Sequence, residues 1–160
     1  MIRRTHVFLL VLLCALLTAC RTTEPVGADA GEPTIDRIEL RRLGCYGFCP
    51  VYHVVVHASG EATYQGVQHV DRMGGHRATI PDVANLFAVA EAIDWRSYPD
   101  ELPLTVVDGP TFMLTVAFDG TEKSIFSGSQ PPEELDRFSR LVDAYADRAM
   151  WAPVAPGDSL

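Results

Sequence analysis

The sequence predicts an α+β domain: an antiparallel sheet of about five or six strands, built as hairpins, with two helices packed on one face. Three observations carry this. Several short runs alternate apolar and polar residues with the period of two that a half-buried strand requires. Two longer runs switch to the 3.6-residue period of an amphipathic helix. The order along the chain is hairpin, helix, hairpin, helix, which suits strands stacked edge to edge with helices gathered on one side.

Taken in order, Ile35 to Leu43 alternates Ile38 and Leu40 against Arg37, Glu39 and Arg41, the pattern of a half-buried strand. Cys45 to Pro50 interrupts it. Val51 to His57 is β-branched and aromatic, and Ser59-Gly60 turns it into Glu61 to Gln65, where Ala62 and Tyr64 alternate. Val67 to Met73 and His76 to Ile80 flank Gly74-Gly75 and form a further, less regular hairpin, with His69 and His76 as loop residues. Pro81 suits a first helical turn, and Val83, Leu86, Phe87, Ala90 and Ile93 then recur at helical spacing. That helix stops near Asp94, before a loop bearing Pro99 and Pro103. Phe112, Leu114, Val116 and Phe118 share a strand face, and Asp119-Gly120 is a strong hairpin-turn signal leading into Thr121 to Phe126. Pro131-Pro132-Glu133-Glu134 opens the second helix with acidic residues at the positive end of its dipole. Its stripe is Leu135, Phe138, Leu141, Val142 and Tyr145.

The flanks differ. Arg3 and Arg4 precede the apolar run Val7 to Leu17, and Leu17-Thr18-Ala19-Cys20 follows. Spanning a bilayer takes roughly 20 apolar residues, so this shorter run reads as a signal peptide. Leu-Thr-Ala-Cys fits a lipobox, in which the Cys20 thiol receives the lipid. Residues 1–19 are then removed, residues 20–34 form a flexible tether, residues 35–150 one domain, and residues 151–160 a disordered tail. An ordinary signal peptide with a chance cysteine is the competing reading. Arg21 after the cysteine favours the outer membrane, with the domain facing periplasm or exterior.

The chain has 160 residues, with 13 Lys and Arg against 21 Asp and Glu, a net charge of −8. Loss of Arg3 and Arg4 with the leader leaves 11 against 21, or −10. So acidic a surface disfavours nucleic acid and anionic lipid head groups as direct partners. Membrane contact should come through lipid on Cys20, and any envelope protein partner is unspecified.

Chemistry concentrates in Cys45-Tyr46-Gly47-Phe48-Cys49-Pro50. In an exported chain, two cysteines this close form a disulfide, and Gly47 permits the tight turn. Closing so small a loop stabilises by only about 2 kcal/mol, so its value is local. The alternative is a thiol-redox or Cu(I) site at Cys45 and Cys49, since soft thiolates suit Cu(I). Cys-x3-Cys-Pro is also similar to the copper-binding stretch of the copper chaperones of cytochrome oxidase assembly. Those proteins have a thioredoxin fold, whose strand and helix alternation differs from this one. His53 is the only candidate third ligand, because His57 on the same strand face lies about 13 Å from His53. Asp108-Gly109-Pro110 presents a carboxylate or a plain turn. None of the common nucleophile, P-loop, zinc-protease or EF-hand motifs occurs. No catalytic residue and no cofactor is therefore assigned.

Arg42 to Tyr52, the Gly60 turn with Tyr64 and Gly66 beyond it, and Asp119-Gly120 near Lys123 resemble the bacterial family known as domain of unknown function 6438. Its signature is Cys-Phe-Gly-x-Cys-Pro-x-Tyr, later followed by Asp-x-Pro. Here Tyr46 replaces the Phe, and Asp108-Gly109-Pro110 matches the later segment. The resemblance spans roughly Ile35 to Tyr145 and implies an exported, often lipid-anchored protein, with no activity or functional residues to carry over. The reading is a non-enzymatic binding module of the cell envelope.

Overall fold

The computed structural model describes residues 34–104, 108–155 and 157–158. The expected signal peptide, Cys20 and the expected tether up to residue 33 lie outside them. Seven strands form one antiparallel sheet: β1 (Ile35–Leu43), β2 (Val51–His57), β3 (Glu61–Gln68), β4 (Gly74–Thr79), β5 (Thr111–Phe118), β6 (Thr121–Ser127) and β7 (Ala152–Pro153). Their spatial order is β6-β5-β1-β2-β3-β4-β7. Among the described residues the helices are α1 (Ala84–Glu91) and α2 (Glu133–Arg148), with a 3₁₀ turn at Trp95–Ser97 after α1.

The alternation of β1 decides which face is dry. Ile38 and Leu40 are fully buried, level with Val56 and Val54 of β2 and with Val116 and Leu114 of β5. Both helices contribute to that same core: Leu86, Phe87 and Ala90 from α1, and Leu135, Phe138 and Val142 from α2. The opposite face carries Arg37, Glu39 and Arg41, with Thr115 and Ser124 hydrogen-bonded to each other at 2.8 Å. One-sided packing explains why the strands alternate instead of being apolar throughout.

The α+β architecture follows the sequence, with one strand more than expected. The additional strand is β7, in the segment expected as a disordered tail. Trp151 packs against the core, Ala152 and Pro153 pair with Arg77 and His76, and the Val154 N–H donates to the Gly75 carbonyl at 2.9 Å. Pro is admitted there because β7 is an edge strand.

The β3–β4 connection also differs. The sequence places the turn at Gly74-Gly75, whereas β3 continues to Gln68, the chain turns through 69–73, and both glycines begin β4. The reason lies at Gly66, where a Cβ would sit 1.8 Å from the Arg72 carbonyl oxygen. Only a glycine lets the returning chain approach so closely. His76 is consequently a strand residue, edge-on to Tyr64 with ring centroids 6.3 Å apart. At the β5–β6 turn, by contrast, Asp119 and Gly120 have φ of 50° and 72°, both positive as a type I′ hairpin demands.

Each helix ends in the same way. The Trp95 indole N–H donates to the Ala90 carbonyl at 2.7 Å, and the Trp151 indole N–H to the Ala146 carbonyl at 2.8 Å. Each carbonyl also accepts a backbone N–H, from Ile93 at 3.1 Å and from Ala149 at 3.3 Å, so the indole supplies a second donor where the regular helical bond is lost.

Candidate functional site

The Cys45 to Pro50 segment joins β1 to β2 at one end of the sheet. Cys45 and Cys49 are joined in a disulfide, with Cα atoms 5.7 Å apart, so the expected pairing is present. Inside the closed loop the Gly47 N–H donates to the Cys45 carbonyl at 2.9 Å. The two residues flanking Gly47 point outward: Tyr46 and Phe48 are each 90% exposed. Such exposure of two neighbouring aromatics is unusual for side chains that bury well over 100 Å² when covered.

The β3–β4 turn lies beside this loop, because Gln68 pairs with Val51. His69 adopts φ of 53°. Its ring meets the Phe48 ring edge-on at 5.1 Å, and its Nδ1 lies 3.2 Å from the Cys49 carbonyl oxygen. Val67 and Met73, on either side of this turn, are exposed as well. The sequence pattern marks His69 only as a loop residue. Its neighbour in space is twenty residues away, and nothing local marks that.

Behind the loop, a partly buried polar cluster ties the sheet to α2. The Arg42 guanidinium donates to Asp143 Oδ2 at 2.5 Å and to Ser139 Oγ at 3.0 Å. The Tyr52 hydroxyl donates to the other carboxylate oxygen of Asp143. Burial alone would lower the Arg42 pKa, but the hydrogen bond and charge of Asp143 outweigh it and hold the guanidinium above its ordinary range. Burial, with the neighbouring Asp143 carboxylate, pushes the Tyr52 hydroxyl well above the usual tyrosine value. Tyr52 stacks on Tyr64 at 5.4 Å, and Tyr64 meets Trp151 at 5.5 Å. The Arg72 guanidinium lies over both, 5.2 Å from the Tyr64 ring and 5.7 Å from that of Trp151. The tyrosine of the Cys-x-Gly-x-Cys-Pro-x-Tyr pattern thus connects the loop to the helix layer.

The remaining candidates lie elsewhere. His53, the possible third metal ligand, is on the open face, with Nε2 3.0 Å from Glu39 Oε2. That hydrogen bond, opposed by burial and assisted by the charges of Arg37 and Arg41, holds the Glu39 carboxyl below its ordinary pKa. With both thiols in the disulfide and His53 engaged by Glu39, the structure does not bring the three together as ligands. Among the described residues no group of three or more His, Cys, Asp or Glu is arranged to hold a metal ion. His57 lies at the other end of β2, beside a shallow cavity of about 620 Å³ also lined by Glu61, Thr63, Arg77, Thr79 and Met150. Asp108 sits in the left-handed region, with φ of 73°, ahead of β5.

Residues 36–146 match a protein family described as a domain of unknown function, DUF6438. No curated protein matches the chain.

Proposed function

We propose that this chain, which belongs to the DUF6438 family, is a lipid-anchored binding module of the bacterial cell envelope in which the Cys45–Cys49 disulfide is structural. The observation that carries this reading is the disulfide-closed loop holding Tyr46 and Phe48 outward, each 90% exposed. A short covalent ring fixes the loop's shape, and fixed, exposed aromatics are what a recognition surface needs. Arg42, Tyr52, Ser139 and Asp143 bond to one another, which supports a scaffolding role for the nearest polar groups.

The anchor rests on Leu17-Thr18-Ala19-Cys20 behind an apolar leader. Lipid at Cys20 would hold an acidic domain at the membrane without a basic surface. Cells fed a labelled fatty acid test it. The full chain should carry the label and pellet with outer membranes, and Cys20→Ser should carry none. Equal labelling of Cys20→Ser, or a wild-type chain that stays in the soluble fraction, refutes the anchor.

A further inference from the structure

We draw no further inference here: the strongest candidate, the shallow cavity of about 620 Å³ over β2, β3 and β4 at the end of the sheet away from the Cys45–Cys49 loop, carries nothing, because its rim sets the exposed side chains of Glu61 and Arg77 beside those of His57 and Met150 and this mixture of an acid, a base and an apolar group singles out no one ligand chemistry.

Discussion

Gly66 shows how much one missing methyl can decide. The Arg72 carbonyl occupies the space a side chain would need, so any substitution must move the β3–β4 turn that carries His69 and supports Phe48. Gly66→Ala should cost about 2–3 kcal/mol, as forced overpacking does, read from urea unfolding; a change within 0.5 kcal/mol would contradict the close approach. Tyr52 makes a second residue-scale prediction. Its pKa is raised in the folded chain, so its stabilising effect is complete below the ordinary tyrosine pKa of 10.0. It is lost as pH rises through the folded value, because the unfolded chain ionises first. Tyr52→Phe should cost about 1 kcal/mol at neutral pH and flatten the loss of stability above pH 10, seen by comparing alkaline melts of the two proteins. Sequence patterning reveals little of this. The Tyr52–Asp143 and Phe48–His69 contacts join residues far apart in the chain, and no local period or turn signal encodes them. The Cys45–Cys49 pairing was legible because it is local.

Among the elements, the helix termini carry the clearest prediction. Trp95 and Trp151 each follow by five residues the alanine whose carbonyl they bond. Trp95→Phe and Trp151→Phe keep an aromatic ring but delete the donor and shrink the ring, so each should cost at least about 1 kcal/mol, and the buried Trp95 more than the partly buried Trp151. Their effects should add, since the two sites have separate partners, and thermal melts of the single and double variants check both points. The strands and helices themselves were largely legible, because alternation and 3.6-residue periods report directly on one-sided burial. The β1, β2 and β5 patterns fall where the strands do. Misplacement came where glycine has two uses. Gly74-Gly75 looked like a turn, yet the glycine that matters is Gly66, inside a strand. The last strand is illegible for a related reason: Ala152 and Pro153 form a two-residue strand, too short to show a period.

For the whole molecule, the disulfide should matter locally more than globally. Replacing both Cys45 and Cys49 with Ser should cost about 2 kcal/mol and leave the far-UV circular dichroism unchanged, since the ring encloses only the loop. A cooperative loss of the sheet would instead make the loop part of the core. The fold class was legible, but the strand order was not. Hairpins follow from neighbouring residues, whereas the pairing of β1 with β5 does not. That pairing has a consequence in time. Leu40 faces Leu114, a partner synthesised more than seventy residues later. Strands β1 to β4 can assemble as a local meander, but the free side of β1 then stays open until the β5–β6 hairpin arrives. Closing a contact of such long separation is slow, and an apolar strand with an unpaired edge invites pairing with other chains. Docking of β5 onto β1 is thus the step at which a newly made chain either completes its core or aggregates, and faster folding should come from stabilising that hairpin rather than the Cys45–Cys49 loop.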